Sequence, residues 1–554
     1  MPSVVPSWEA IVAKKQADQQ AAIAKLGWPE VDVSPKVLNV KSVPLEGALS
    51  AEEIEITDQS VGTLLAKLAS GEWKAEQVVG SFCRRAIIAH KLTNCLTETF
   101  FDKALARARA LDEEFAKTGK PTGPLHGLPI SLKAQIDVEG VEINMAYVGW
   151  VGRIAKKNAV VVDCLLKQGA VIYAHTNVPQ SLMSGETVNN LYGRTVNPHN
   201  RALTCGGSSG GEGALVAMKG SPIGIGSDIG GSIRMPSAFC GIYGFRPSYN
   251  RVPYGGSSNS LEGFEAVPSV LGPMSTSLDG LKTFFKAVVD AEPWRADPLA
   301  LHMPWNESAY QLVEHGGGKE PLCFGFMWDD GEVKPNPPYY RAMEMLKKAL
   351  LAKGHKVIDY TPPEVARGRD ILVRLYFADG NVEIQKQCDL SGEPNLSKLL
   401  ATTTEPPHLS TYEYWQLCLE RRNFVRDQLA AWEATKELTG TGRPIDGLIA
   451  PPAPYPAFCH GDSQYIYYTG LGNINDYPTS VFPVTKVDPA IDVQAAPHEF
   501  RHPFDKENYE RYEPEVLRDA PIGLQCMGRK GEDEAILKMT EICCQALAAL
   551  APQA

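Results

Sequence analysis

Along residues 60–90 the apolar side chains return every three or four positions, at Leu64, Leu65, Leu68, then Val78, Val79, Phe82, Ala86 and Ile87, with Ser70-Gly71 interrupting the series. That period predicts two amphipathic helices separated by a turn. A third helix is expected over 102–116. The stretch KPTGPLHGLP at 120–129 breaks the pattern with proline and glycine and opens into the short run Ile130, Ser131, Leu132, which puts Lys133 at the end of a strand. Helix-period segments and continuous apolar runs then alternate at 160–168, 170–174, 213–218, 223–227 and 232–239. This βα rhythm predicts an α/β chain with a largely parallel sheet, whose strand-end loops are where a site is usually built.

Between about 292 and 440 the pattern loosens, with prolines clustered at 335–338 and 362–363 and one strand-like stretch at 322–326. It reads as an irregular peripheral layer. Compact signals return with apolar strands at 447–450 and 480–484, the run PIGLQCMG from Pro521 and a last helix from Asp533. No internal repeat is present. The expected organisation is an N-terminal helical extension over 1–59 and one large domain over 60–554.

With 554 residues, 44% hydrophobic and 21% charged, the chain has the composition of a large globular protein. Its net charge of −11 leaves no basic face for phosphate backbones, so nucleic acid is excluded as a partner and a small-molecule substrate is expected. The twelve cysteines contain no CxxC pair; Cys543 and Cys544 are adjacent in a helical segment, and Cys459 beside His460 is too little for a metal site. They read as reduced core thiols. The N-terminal stretch lacks a signal-peptide core and carries Glu9 and Asp18, which points to the cytoplasm, and no apolar run nears the roughly 18 residues of a membrane span.

The candidate chemistry lies in 205–247, CGGSSGGEGALVAMKGSPIGIGSDIGGSIRMPSAFCGIYGFRP. Two clusters of glycine and serine, at 206–211 and 230–232, bring backbone N–H groups and hydroxyls close to a ligand, and glycine is what a chain uses where φ must be positive or a ligand approaches the backbone. Familiar motifs nearly fit. Gly224 and Gly226 begin a dinucleotide fingerprint, but Ile229 stands where its third glycine belongs, and there is no GK[ST]. Residues 206–210 match GxSxG, which would make Ser208 the nucleophile of a hydrolase elbow; against this, 197–204 is a polar, loop-like approach where an elbow needs a strand. His498 and His502 have HExxH spacing, but Pro503 takes His502 out of helical geometry. Histidine is dispensable for acyl transfer, because a lysine whose pKa is lowered can act as base.

Three segments in order, GLPISLK ending at Lys133, GGSSGGEGAL from Gly206 and DIGGSIRMPSAFCGIYGFRPS from Asp228, resemble the core of the amidase signature family. The resemblance continues through NVPQSLMSGETVNN, GRTVNP and PIGLQCMGRKGEDE, and PSWEAIVAKKQ, LTNC and EPWRAD are similar to the fungal acetamidase branch, which lies near the fatty-acid-amide-hydrolase-like amidases. It implies a central twisted mixed sheet covered by helices on both faces, commonly a homodimer, and no cofactor or metal. It implies hydrolysis of a monocarboxylic amide, small aliphatic amides such as acetamide first, with longer acyl or aryl amides and carbamates sharing the same reacting centre. A glutamine-hydrolysing subunit of an amidotransferase and a non-catalytic homologue are the alternatives; the fungal-type flanks argue against the first, and intact motif positions against the second.

Carried over position by position, the resemblance implies Ser232 as nucleophile, Ser208 as a serine in cis peptide linkage and Lys133 as base. Free lysine has a pKa of about 10.4, so about one molecule in 2,500 is neutral at pH 7, about 4.6 kcal/mol against accepting a proton, and burial must lower it. The implied oxyanion hole is the N–H groups of Ile229, Gly230, Gly231 and Ser232, at the start of a helix whose dipole favours negative charge. Asp228 and Arg234 are expected as a pair ordering the glycine turn, Ser209 as a hydrogen-bonding neighbour, Cys240 as a core thiol, and Leu182 and Met183 as walls of the acyl pocket. One departure is visible: Ala134 follows the lysine where the family commonly has an acidic residue.

Overall fold

The computed structural model describes residues 6–28, 31–396, 408–462 and 465–550. Thirteen strands occur among them: β1 (Leu96–Thr99), β2 (Pro129–Lys133), β3 (Val171–Thr176), β4 (Val188–Asn189), β5 (Gly193–Arg194), β6 (Ile223–Asp228), β7 (Tyr243–Arg246), β8 (Val270–Ser275), β9 (Cys323–Phe326), β10 (Lys356–Asp359), β11 (Gly447–Ala450), β12 (Thr479–Lys486) and β13 (Pro521–Met527). Eleven form one sheet in the order β1-β3-β2-β6-β8-β7-β12-β13-β11-β9-β10, and β4 and β5 pair separately. Helices flank it: Phe101–Thr118 packs on β3, Leu278–Asp290 on β8, and Pro337–Ala352 and Asp533–Leu550 on β12 and β13. Every residue of β2, β6, β8 and β13 is buried, which is why these strands read as continuous apolar or small-residue runs and not as alternation.

The expectation of a largely parallel sheet needs correction. Pairing is parallel at β3-β2-β6 and at β11-β9-β10 but antiparallel through the middle, from β6 and β8 across β7, β12 and β13 to β11. A parallel return needs a crossover, commonly a helix, and the chain between β7 and β8 contains none, so β8 comes back antiparallel and slots between β6 and β7. The sheet is mixed.

The 292–440 segment is likewise more ordered than its pattern suggests. It contributes β9 and β10 to the sheet edge and the helices Pro337–Ala352, Val365–Tyr376, Val382–Asp389 and Thr411–Ala434; its portion at 397–407 lies outside the described residues. In the N-terminal segment the helix Trp8–Ala24 lies against the body, with Gln16 Nε2 donating to the Leu191 carbonyl at 2.9 Å and Gln19 Nε2 to that of Thr97 at 2.8 Å. Among the described residues no helix is long and apolar enough to cross a membrane.

One consequence of the topology positions the site. Because β2 and β6 pair in parallel, with Ser131 opposite Gly224, their C-terminal ends reach the same edge of the sheet, Lys133 closing β2 and Asp228 closing β6.

Candidate active site

Lys133 is fully buried at that edge, and its Nζ lies 2.7 Å from Ser208 Oγ and 2.8 Å from Ser227 Oγ. Burial strips the ammonium of water and pushes its pKa down to about 7, against the opposing pull of Asp228 and Glu212. Glu212, on the helix Gly210–Ala217, is also fully buried; burial pushes its carboxyl up to about 8, while hydrogen bonds from Ser131 (2.6 Å) and Thr176 (3.0 Å) and the charge of Lys133 act the other way.

The first glycine-serine cluster folds as a loop leading into that helix. Its Gly207–Ser208 peptide is cis. A side chain at Gly207 would run into the Ser184 carbonyl, so glycine is what lets this loop close on the segment around Ser184. Ser209 donates its N–H to the Ser232 carbonyl at 3.2 Å and exchanges two hydrogen bonds with the Ser227 backbone through its hydroxyl, tying the two clusters together.

The second cluster is a turn built around a buried ion pair. Asp228 accepts from Arg234 Nε at 3.0 Å and from its terminal nitrogen at 2.9 Å, from Asn473 at 2.8 Å and from the N–H groups of Gly231 (2.9 Å) and Ile233 (3.1 Å). Burial works to raise the Asp228 carboxyl, but the positive charge and hydrogen bonds of Arg234, with Arg246 and Asn473, hold it well below the usual carboxylate range. Tyr376 donates its hydroxyl to the Ile229 carbonyl at 2.5 Å and Thr469 to that of Gly230 at 2.7 Å, holding both carbonyls of the turn in place. The N–H groups of Ile229, Gly230 and Ser232 have no acceptor among the described residues, whereas that of Gly231 is already committed to Asp228. The following helix, Arg234–Phe239, begins two residues later than its sequence pattern suggests and is one and a half turns long, and Cys240 is buried just past its end.

Ser232 lines a cavity of about 230 Å³, together with Leu182, Met183, Ile229, Gly230 and Gly231. The far wall comes from the 292–440 segment and the C-terminal part, through Leu372, Val373, Tyr376, Phe377, Ile466 and Tyr467, so most of the lining is apolar or aromatic. The structure thus gathers Lys133, Ser208, Ser209, Asp228 and Arg234 beneath this cavity and Leu182 and Met183 along its side. It does not join Ser232 to Ser208: the Ser232 hydroxyl has no hydrogen-bond partner among the described residues.

Five residues that hold the site together escaped the sequence reading. Ser227 and Gln135 have a local signal, each standing within two positions of a motif residue, but Tyr376, Thr469 and Asn473 come from segments with no motif. Ala134 is buried in a small apolar cluster with Met145, Tyr147, Val178 and Leu182, and the hydrogen bond it makes here is a backbone one, its N–H donating to the Thr176 carbonyl at 3.2 Å. The HExxH spacing is not a helical pair: His498 faces Asp505 at 3.0 Å and His502 caps the helix Pro503–Glu510. All twelve cysteines are unpaired, nine of them buried.

Comparison with known proteins points the same way as the geometry. The family model described as Amidase matches residues 77–537. The chain is 40% identical to an acetamidase of Aspergillus oryzae, covering 98% of both chains, and 40% identical to an acetamidase of Emericella nidulans, covering 97% of both. Among solved structures it is similar to a fatty acid amide hydrolase, with a TM-score of 0.89 and 33% identity over 98% of this chain and 95% of the other.

Proposed function

The chain belongs to the amidase family, and from that membership we propose that it hydrolyses the amide of a monocarboxylic acid to the carboxylate and ammonia or an amine, through an acyl-enzyme on Ser232, with Ser208 relaying protons and Lys133 as base. The observation that carries this is a water-excluded lysine whose pKa is lowered to about 7, hydrogen-bonded to Ser208 below a cavity that Ser232 lines. At neutral pH about half of Lys133 is then the free amine, against about one in 2,500 for lysine in water.

In the first half-reaction the Ser232 oxygen attacks the amide carbon as its proton passes to Ser208 and the Ser208 proton passes to Lys133. Reversal of the relay delivers a proton to the departing nitrogen, and the C–N bond breaks. Water then repeats the sequence on the acyl-enzyme, releasing the carboxylate and restoring Ser232. The Ser232–Ser208 link tightens when the carbonyl docks, as catalytic hydrogen bonds commonly do on forming the Michaelis complex. The N–H groups of Ile229, Gly230 and Ser232 receive the developing oxyanion, and that of Gly231 serves the turn by holding Asp228. Each such donor contributes about 3–4 kcal/mol to lowering the barrier. Leu182 and Met183 face the acyl group.

The test is a serine-directed alkyl fluorophosphonate followed by peptide mapping, beside ammonia release from a simple amide. The expected adduct sits on Ser232, and Lys133→Ala and Ser232→Ala each abolish both labelling and turnover. An adduct on Ser208 would return the hydrolase-elbow reading, and the absence of both adduct and ammonia release would remove the enzymatic one.

A further inference from the structure

We infer that Gln135 is a positioning residue that fixes the direction in which Lys133 can take up a proton; this rests on Lys133 acting as the base. Gln135 is fully buried, two residues beyond Lys133, and its amide bridges two parts of the site. Its Nε2 lies 2.8 Å from the Ser258 carbonyl and 2.9 Å from the Tyr254 hydroxyl, and its Oε1 lies 2.6 Å from Ser227 Oγ. A backbone carbonyl only accepts, so the nitrogen must face Ser258 and the oxygen must face Ser227.

From that anchor the polarity of the chain follows one bond at a time. An amide oxygen only accepts, so the single hydroxyl proton of Ser227 points at Gln135. Toward Lys133 Nζ, 2.8 Å away, Ser227 Oγ can then only accept. One lysine N–H is therefore committed to Ser227 in either protonation state. The neutral amine has two N–H groups and one lone pair, and the other hydroxyl within reach of Nζ is Ser208, at 2.7 Å. The Lys133–Ser227 bond cannot reverse, whereas the Lys133–Ser208 bond can. When the Ser208 O–H bond breaks, its proton forms a third N–H bond on Nζ, the amine becomes an ammonium, and Ser208 takes the proton of Ser232 as the Ser232 oxygen bonds to the amide carbon. The carbonyl π pair moves onto its oxygen, and the negative charge of that oxyanion offsets the positive charge gained by Lys133.

A neutral amide suits this place. The charged groups that act on Lys133 are Asp228, at the end of β6, and Glu212, on the helix Gly210–Ala217, and a third carboxylate would favour the ammonium that cannot accept. Gln135 orders the hydroxyls without adding charge.

The test compares Gln135→Met, Ser227→Ala and the double variant with wild type, Lys133→Ala and Ser232→Ala, using amide turnover across pH. Gln135→Met is expected to lower kcat roughly five- to a hundredfold, the scale of leaving one buried polar group without its partner, with KM within about twofold. Ser227→Ala should fall by a similar factor, and the double variant should be no worse than the weaker single one, because both remove the same constraint. Gln135→Glu, which restores an acceptor for Ser227 and adds charge, is expected to recover rate only at high pH, its acid limb moved upward. Wild-type kcat in Gln135→Met, or losses that multiply in the double variant, would overturn the inference. If Gln135→Met does not fold, the comparison of Ser227→Ala with Ser227→Cys decides: similar losses support it, and wild-type kcat in Ser227→Ala overturns it. Full activity in Lys133→Ala would instead strike at the proposed base itself, so the two failures are distinct.

Discussion

Lys133 shows how far one residue's environment can move its chemistry. In water its amine is the wrong species at neutral pH by about 4.6 kcal/mol. Here burial lowers the pKa to about 7 although two carboxylates oppose the shift, so desolvation is the larger effect. The sign of the pH dependence follows. In the proposed mechanism the acting form is the neutral amine, which accumulates as pH rises through that value, so log kcat/KM should climb with unit slope below pH 7 and level off above it. Because Glu212, whose carboxyl is pushed up to about 8, acts on the same lysine, the apparent value belongs to the pair. A kcat/KM profile between pH 5 and 10 checks this; a rate that stays flat down to pH 5 would contradict a lysine base. The sequence showed that a lysine stands at the end of a strand, and the family resemblance assigned it a role. It could not show the dryness around Lys133, since that is made by side chains from several strands and helices meeting at one point.

At the scale of elements, the turn from Asp228 to Arg234 shows what local pattern reveals and what it hides. Its glycines are visible in the sequence, and Gly231 has the backbone reason expected of one, with φ of 127°. Its partners are not visible: Thr469 reaches Gly230 across 239 residues and Asn473 reaches Asp228 across 245. Periodicity records which face of an element is covered but not what covers it, so contacts at that separation leave no mark in a local window. The helices Val61–Ser70 and Ala75–Thr93 were legible for the converse reason, being amphipathic and, in the first case, bounded by a Ser60 cap and a left-handed Gly71. The turn also supports a prediction. A side chain at Gly231 would meet Thr469 Oγ1, the atom that holds the Gly230 carbonyl, from a backbone conformation that L-residues avoid. Gly231→Ala should therefore displace the neighbouring N–H groups and lower kcat by roughly a hundredfold or more, the scale of losing one oxyanion donor. Single-turnover acylation would show the loss; a near-wild-type rate would mean that the turn tolerates the shift and that its N–H groups are not what binds the oxyanion.

Across the whole molecule, the proposed reacting groups and the far wall of the cavity come from different parts of the chain. Lys133, Ser208 and Ser232 lie within the first half, on the ends of β2 and β6 and the loops beside them, while Leu372, Val373 and Tyr376, with Phe377 just past them, come from the helix Val365–Tyr376 in the segment whose sequence pattern was loosest. That looseness has a physical origin. The helix Val365–Tyr376 itself repeats, burying Val365, Gly368, Ile371, Leu372, Leu375 and Tyr376 at helical spacing, and the irregularity lies in the connections around it, such as the Pro362-Pro363 pair just before it. The division predicts that substrate range can change without touching the chemistry. At roughly 30 Å³ per water, the cavity has room for about seven or eight waters, far more than the methyl group of acetamide fills. Each further methylene that reaches the apolar wall should contribute about 0.8 kcal/mol, roughly fourfold in kcat/KM, until the cavity is full. Val373→Trp adds a large ring to that wall. It should reduce kcat/KM for a hexanoyl or phenylacetyl amide by at least about tenfold while leaving acetamide within about threefold. Measuring both amides on both proteins separates the possibilities: equal losses would mean that the ring disturbs the catalytic turn, and no loss on either would place the acyl group elsewhere than against this wall.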